Sequence, residues 1–367
     1  MKSSLFTCAA LLCSFLLTLS ADQITLKNGD RVSGKIVTAD DKTITLKTEF
    51  AGDIKIDRTL ITGITTDAPL NVTLKDAAPV QAKISGATEG LQLQKADGSA
   101  VTVKGESLVA IRDDASQKAF DREVERTNHP RLNDFWVGFV TLGVANSSGN
   151  SSTTSVATAA SAVRAAGRNK LSINFNQIYA RQSTTIPTGE TANRMGGSVR
   201  LDRNLSKKIF IYGINAYEYD KFLDLNLRMI AGGGFGYHIW ANKKGFLDTF
   251  GGGNWNRETY DITNKVKPDV YLTQTRNAGE LTLGQELGYQ PMSRLKLNEK
   301  LSFYPNLTTT GEYRMNFATT ASVPIWKWLE FNVGFASSYQ SNPPDGKVRN
   351  DTILSTGIRA SFDQTKR

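Results

Sequence analysis

The stretch that decides the fold is residues 209–240, which read IFIYGINAYEYD, then KFLDL, then NLRMIAGGGFGYHIW. Two long, aromatic-rich runs flank a short charged tip. Neither run repeats apolar residues at the 3.6-residue spacing of a helix, and neither is long or apolar enough to cross a bilayer as one. The pair predicts a hairpin of two long β-strands, and it is a template for reading the rest of the chain.

The same pattern continues on both sides of this hairpin and predicts twelve strands in all. Most have the length that a tilted strand needs to cross the hydrocarbon layer of a membrane. The predicted strands lie near residues 135–145, 154–166, 170–181, 191–204, 209–219, 225–240, 246–260, 275–290, 294–304, 312–324, 328–339 and 351–362.

Alternation within these strands sorts the residues onto two faces. Residues 171–179 place Leu, Ile, Phe and Tyr on one face and Ser and Asn on the other, and residues 329–339 repeat this arrangement. An apolar outer face and a polar inner face are typical of a membrane-embedded β-barrel. A soluble sandwich would also alternate, but with shorter strands.

The connections between strands alternate short and long, as expected of a barrel with turns on the periplasmic side and loops outside the cell. An even number of strands also returns the C-terminus to the periplasm. The chain is therefore predicted to be all-β, with an antiparallel transmembrane β-barrel of about twelve strands over residues 135–362 and a tail at 363–367. Short connections fall at 167–169, 206–208, 241–245, 291–293 and 325–327, and long ones near 146–153, 182–190, 261–274, 305–311 and 340–350.

The N-terminus has the pattern of a secretory signal at residues 1–21, with Lys2, an apolar stretch and small residues before a cleavage site. Both cysteines, Cys8 and Cys13, lie inside it, so disulfides and thiolate metal sites are not expected in a mature chain. Only two histidines are present, His129 and His238. No metal site, cofactor or catalytic residue is predicted.

Residues 22–114 have the pattern of a duplicated small β-module, with repeats at 24–67 and 71–114. The segment ITLK at residues 24–27 recurs as VTLK at residues 72–75. Each copy has five short alternating segments, which favours an SH3-like or Sm-like barrel per copy, or one barrel shared between the copies. A helical linker is expected over residues 115–134.

The interior of the barrel is expected to hold a network of paired charges. His238 also falls on the inner face beside a short turn, which argues against a lipase. Asp220 and Asp224 at the hairpin tip could hold calcium, or could be solvated. Glu299 falls on the lipid-facing side, so a local bulge or a position near the rim is expected there. The charged residues expected to face the lumen are Arg228, Glu280, Glu286, Lys296, Lys300, Arg314 and Arg359.

Residues 135–362 resemble the uncharacterised outer-membrane β-barrel family of salt-induced outer-membrane proteins. The resemblance implies an outer-membrane location and no established activity. The phrases that carry it are Trp136-x-Gly138 with Leu142-Gly143 and Gly149-Asn150, Tyr217 to Phe222, Gly232 to Tyr237, Glu299 to Pro305, and Pro344-Asp345-Gly346 before Asp351.

These patterns favour a non-enzymatic barrel in the outer membrane of a Gram-negative-type bacterium, with a narrow passive pore as its more specific form. The alternative is an envelope-anchoring or glycan-binding protein mounted on a barrel, and a barrel lipase is the third hypothesis. Outer-membrane lipid is the expected partner, together with peptidoglycan or another envelope component bound by residues 22–114 in the periplasm. The formal net charge is +9, but Lys and Arg are spread along the sequence, so nucleic acid is not an expected partner.

Overall fold

The computed structural model divides the chain into two compact units, Met1–Arg126 and Thr127–Arg367. Among the described residues, no helix has the length and apolar character needed to cross a membrane. Residues 1–20 of the predicted signal, with its two cysteines, lie outside the described residues, as do Gly149, Asn150, Asp345 and parts of three predicted loops. The structure describes residues 21–75, 77–148, 153–182, 189–262, 272–344 and 346–365.

The first unit is a sheet of short strands followed by one helix, α1 (Asp114–Asn128). One-turn 3-10 helices at Arg58–Leu60 and Gly105–Ser107 each precede a strand. The strands are β1 (Asp22–Leu26), β2 (Arg31–Ala39), β3 (Thr43–Thr48), β4 (Gly52–Asp57), β5 (Ile61–Thr65), β6 (Leu70–Leu74), β7 (Val80–Ser85), β8 (Leu91–Lys95), β9 (Ala100–Val103) and β10 (Leu108–Arg112).

The two halves of this unit have the same strand pairing, and the last strand of each half also contacts the other half. In each half four strands form a meander, and the fifth pairs with the first, β5 with β1 and β10 with β6. Strand β10 also pairs with β2, at Ile111 and Ala39, and β5 bonds to the end of β7, through the Ile64 amide and the Gly86 carbonyl at 3.1 Å. Apolar side chains from both halves form a single buried core. The sequence left open whether each copy forms its own barrel or both share one, and the structure has one core that both halves share.

The start of α1 depends on Asp113. Its carboxylate accepts a hydrogen bond from the Ser116 amide at 2.8 Å and pairs with Lys35 at 3.0 Å. Burial raises the pKa of this carboxyl, but these partners outweigh it, so the pKa lies below its ordinary value. The stability that the ionised Asp113 carboxylate contributes is therefore fully present above about pH 4, and it is lost as the pH falls through the lowered pKa.

Asp113→Ala is expected to destabilise the first turn of α1 by about 1 kcal/mol, because a capping acceptor is lost. Hydrogen–deuterium exchange of residues 115–118 in the full chain would then accelerate about fivefold. Asp97 is an exposed carboxylate that accepts from Ser99 in a turn, so Asp97→Ala should leave this exchange unchanged. Equal exchange in Asp113→Ala and the wild type would contradict the capping role.

The second unit is a closed barrel in which each strand pairs antiparallel with the next and β22 pairs with β11. All twelve predicted strands are confirmed, with bounds within three residues of those expected. They are β11 (Trp136–Ser148), β12 (Thr153–Ala166), β13 (Asn169–Gln182), β14 (Gly189–Asn204), β15 (Ile209–Asp220), β16 (Leu225–Asn242), β17 (Gly245–Asp261), β18 (Thr273–Met292), β19 (Leu295–Pro305), β20 (Tyr313–Pro324), β21 (Leu329–Gln340) and β22 (Asn350–Asp363).

The two ends of the barrel differ in the length of their connections. At one end no connection between strands is longer than four residues, and we call this end the turn rim. At the opposite end, which we call the loop end, most connections are longer. Both chain termini of the barrel lie at the turn rim, because the strand number is even. The turns of the rim are residues 167–168, 205–208, 243–244, 293–294 and 325–328.

Glycines let β16 and β17 approach closely on the inner side of the wall, where Gly234 pairs with Gly252. A Cβ added at Gly234 would press against the carbonyl oxygen of Gly251, whereas one added at Gly213 would meet nothing within 4 Å. Backbone atoms cannot move aside as a flexible side chain can, so these glycines fix the local curvature of the wall.

Gly234→Ala is expected to lower the free energy of unfolding of the barrel by about 1–3 kcal/mol, because it overpacks the wall. Urea unfolding from lipid vesicles, followed by tryptophan fluorescence, measures this change. Gly213→Ala on the neighbouring strand is the matched control and should be close to neutral. Equal stability of the two variants would show that the glycine run is not required for curvature.

Candidate functional site: the barrel lumen

Side chains on the barrel wall are sorted so that apolar groups face outward and charged groups face inward. Phe235 is 67% exposed on the outside, whereas Arg228, seven residues earlier on the same strand, is 3% exposed. Arg194 bonds to Ser338 and Arg200 bonds to Glu286, and in both cases the two strands are not neighbours in the wall. Such contacts have to cross the interior, so these charged groups line the lumen.

A chain of alternating charges follows the inner wall in the loop-end half of the lumen, across the neighbouring strands β14 to β17. Glu218 on β15 accepts from Arg194 at 2.7 Å and from Arg228 at 2.7 Å. Arg228 also pairs with Glu258 on β17 at 2.8 Å, and the Tyr260 hydroxyl donates to Glu258 at 2.9 Å. Each buried charge therefore has an opposite charge beside it, which offsets the cost of removing it from water.

A second buried cluster is centred on Glu280 of β18, which is 4% exposed. Arg314 of β20 donates to both of its carboxylate oxygens, at 2.7 and 3.1 Å. The amides of Asn254 and Asn256 donate to the same carboxylate at 2.7 and 3.2 Å. The bidentate pair and the two amides fix the geometry of this side of the lumen.

Arg200 is the centre of a constriction nearer the turn rim. Its guanidinium lies 4.6 Å from the ring centroid of Tyr212 and 4.7 Å from that of Phe250. It pairs with Asp202 at 2.7 Å and, across the interior, with Glu286 at 3.0 Å. We call these five residues and Lys300, which pairs with Glu286 at 2.8 Å, the Arg200 cluster.

A cavity of about 300 Å³, with both polar and apolar groups in its wall, is bounded by both the Arg200 cluster and the loop-end charges. Lys300 borders it on one side and Arg194, Arg228 and Arg314 border it on the other. Its remaining wall is mostly amides, hydroxyls and small side chains, among them Asn174, Asn176, Ser198, Ser302, Tyr304 and Asn316. The volume is sufficient for several water molecules or one small solute.

The seven charged residues expected in the lumen lie in these clusters or beside them. Lys296 pairs with Glu330 at 2.5 Å, and Arg359 donates to the hydroxyls of Thr141 and Ser322, both at 3.2 Å. Arg359 also stacks over Phe139 at 3.8 Å. The expected network is therefore made of paired groups with defined partners on other strands.

His238 is held by neighbours on two other strands. Its Nδ1 lies 2.7 Å from Asp248 Oδ1, and its Nε2 lies 3.1 Å from Asn204 Oδ1. The ring also stacks on Phe210, with centroids 4.8 Å apart. Both ring nitrogens of His238 therefore have a partner within hydrogen-bond distance.

Asp220 and Asp224, at the tip of the hairpin of residues 209–240, have partners within the protein. Asp220 accepts hydrogen bonds from the amides of Phe222 and Leu223 at 3.0 and 3.3 Å and so caps a one-turn helix. Asp224 pairs with Lys347 at 3.2 Å. Among the described residues, no three His, Cys, Asp or Glu side chains form a group that could hold a metal ion.

Glu299 does not lie in a bulge, so the first of the two expectations for this residue is wrong. The register of β19 is regular through this residue on both sides. The carboxylate is half-buried on the outer face and accepts a hydrogen bond from the Gln285 amide at 3.0 Å. A neighbouring donor reduces the cost of a carboxylate on this largely apolar outer face.

Sequence reasoning missed the Arg200 cluster as a unit. Arg200 and Asp202 share the inner parity of β14, which is a usable signal. The sequence has no comparable signal for Tyr212 and Phe250, because aromatic residues are expected on the outer face of such a barrel. Both side chains are buried inside.

Comparison with known proteins gives one family and a set of distant barrels. The NanC porin is similar, with 9% identity over 61% of this chain and 100% of that chain and a TM-score of 0.39. The translocator domain of the autotransporter NalP from Neisseria meningitidis is 10% identical over 68% and 95%, with a TM-score of 0.38. An outer membrane channel from Pseudomonas putida F1 is 13% identical over 62% and 96%, with a TM-score of 0.36. With such low scores, none of these likenesses says what the chain does.

No curated protein matches the chain. Residues 140–362 match the model of the family described as "Protein of unknown function, DUF481". That description does not carry the salt-induced name that the resemblance suggested. Because the match spans more than half of the chain, the protein belongs to the DUF481 family.

Proposed function

We propose that the protein is a non-enzymatic outer-membrane β-barrel of a Gram-negative-type bacterium and that its lumen is a narrow passive pore for small ions and polar solutes. The observation that carries this proposal is the sorting of side chains on a closed twelve-strand wall, with apolar groups outside and paired charges inside. That distribution is the reverse of a soluble protein and suits a wall between lipid and water.

The lumen favours slow passage of small solutes over a wide channel. Eight-stranded barrels are filled by side chains and sixteen-stranded barrels leave an aqueous channel, so twelve strands give an intermediate interior. Here the Arg200 cluster crosses that interior, and the cavity on its loop-end side is about 300 Å³. Because the lumen charges are paired, the pore is expected to select weakly between anions and cations.

The test is planar-bilayer recording on the refolded full-length chain, with the same sample denatured by heat as the control. Small, uniform conductance steps that appear only with folded protein are the expected result. Protein that is shown to be inserted by protection from external protease, but that passes no current, would overturn the pore.

A second candidate function is attachment to a glycan of the envelope through the first unit, acting in the periplasm. The observation that favours it is an open groove of about 1020 Å³ lined by both halves. Its floor contains Ile44 and Leu91, and Arg58 spans the two halves by donating to the Leu108 carbonyl at 2.8 Å. Sedimentation of the detergent-solubilised chain with purified peptidoglycan tests it, and Lys104→Glu on the groove should reduce sedimentation. Protein that stays in the supernatant would remove this candidate.

A further inference from the structure

The turn rim of the barrel is strongly basic. Its five turns hold cationic side chains in every case and contain no Asp or Glu. The sequence spreads Lys and Arg along the chain, but the barrel topology brings these positions to one edge. The cations of the rim are Arg168, Lys207, Lys208, Lys243, Lys244, Arg294 and Lys327.

These cations differ from Arg228 and Arg314 in the lumen and from Lys221 and Lys347 at the loop end, each of which is paired with a carboxylate. All seven are exposed, and the ion pairs found in the described part of the chain include none of them. At the loop end, by contrast, Lys221 pairs with Glu190 at 2.6 Å and Lys347 pairs with Asp224. The rim therefore keeps its positive charge available for an external partner.

Exposed apolar and aromatic side chains lie among the rim cations. Trp326 and Trp328 share one turn with Lys327, are 65% and 56% exposed, and have ring centroids 6.4 Å apart. Lys208 lies over the outward-facing ring of Tyr237 at 5.7 Å. Aromatic rings with cationic side chains are the combination that favours the level of lipid headgroups.

We propose that the turn rim binds anionic phospholipid headgroups of the membrane leaflet on that side. This inference rests on the proposed membrane location. A soluble polyanion would contact only the cations of the rim. A lipid surface also has an apolar layer next to its charged headgroups, which explains why exposed tryptophans and the outward-placed Lys208 lie together on the rim. Two- and four-residue turns hold the cations at one level around the wall, so several headgroups can be bound at once.

The test uses the full-length chain refolded into phosphatidylcholine vesicles that carry a trace of spin-labelled phosphatidylglycerol or spin-labelled phosphatidylcholine. Electron paramagnetic resonance gives the relative association of the two lipids with the protein. We expect phosphatidylglycerol to be preferred at least about threefold and the preference to disappear at high salt, because screening weakens exposed charges.

The variant Lys207→Gln/Lys208→Gln/Lys243→Gln/Lys244→Gln should reduce the preference towards one. The matched control is Lys42→Gln/Lys47→Gln/Lys55→Gln/Lys83→Gln, which removes the same number of charges from exposed positions of the first unit. This variant should keep the preference for phosphatidylglycerol. Equal association of both lipids with the wild type, an unchanged preference in the rim variant, or a loss in the control would each overturn the inference. The inference would also be overturned if the protein bound dextran sulfate, a soluble polyanion, but showed no preference between the two lipid headgroups. Failure of the wild type to insert even into neutral vesicles is a different result, because it would overturn the membrane location itself.

Discussion

Glu280→Leu is expected to lower the free energy of unfolding of the barrel by about 3–5 kcal/mol, because it leaves a buried guanidinium without its counter-charge. Arg314 loses both of its hydrogen bonds to the carboxylate, and the amides of Asn254 and Asn256 lose an acceptor at the same time. Urea unfolding from lipid vesicles measures the change.

The double variant Glu280→Leu/Arg314→Leu separates this cause from a packing effect. Removing both partners of a buried pair is often close to neutral, so the double variant should recover most of the loss. A double variant that is less stable than Glu280→Leu would mean that Arg314 stabilises the barrel through other contacts, such as its position 4.9 Å from the Tyr304 ring.

Arg200→Ala is expected to increase the single-channel conductance severalfold and to shift selectivity towards cations. The guanidinium is the group that spans the constriction from β14 to Glu286, so its removal widens the path. It also leaves Asp202 and Glu286 with one cation each, Lys170 and Lys300, so the net charge of the constriction becomes more negative. Conductance and the reversal potential in a salt gradient measure the two effects.

Arg203 on the same strand is a matched control, because it has the outward parity of Leu201 and is exposed. Arg203→Ala should leave both quantities unchanged. If Arg200→Ala conducts as the wild type does, the narrowest part of the pore lies elsewhere in the lumen.

The strands and the outer face could be predicted because a closed wall with an apolar outer face and a charged interior imposes a period of two on the sequence. Leu171, Ile173 and Phe175 alternate with polar residues, and successive side chains of a strand point to opposite faces. The charges of the lumen could be predicted by the same parity, since Arg228 and Arg314 face inward with their strands.

The Arg200 cluster could not be predicted in this way. In β15 both faces are apolar, with Ile209 and Ile211 on one and Phe210 and Tyr212 on the other, so alternation does not say which face is inside. The Arg200–Glu286 pair joins β14 and β18, and that proximity exists only after the barrel closes in its final register.

The pairing of the first unit could not be predicted for a related reason. Its two halves have the same pattern of strands, so β10 fits the edge of β2 as well as an edge in its own half. Alternation sets which residues are buried, whereas the choice between equivalent edges depends on how the two halves meet.

The pairing of β10 with a strand of the other half has a consequence for how the first unit folds. Ile111 pairs with Ala39, 72 positions earlier in the chain, so the sheet depends on contacts of high sequence separation, which form slowly. Until β10 has been synthesised, the Thr38–Ala39 end of β2 is unpaired on the side that β10 occupies and is open to association with another chain. Truncation before Leu108 should therefore abolish folding of the whole unit and leave no stable half.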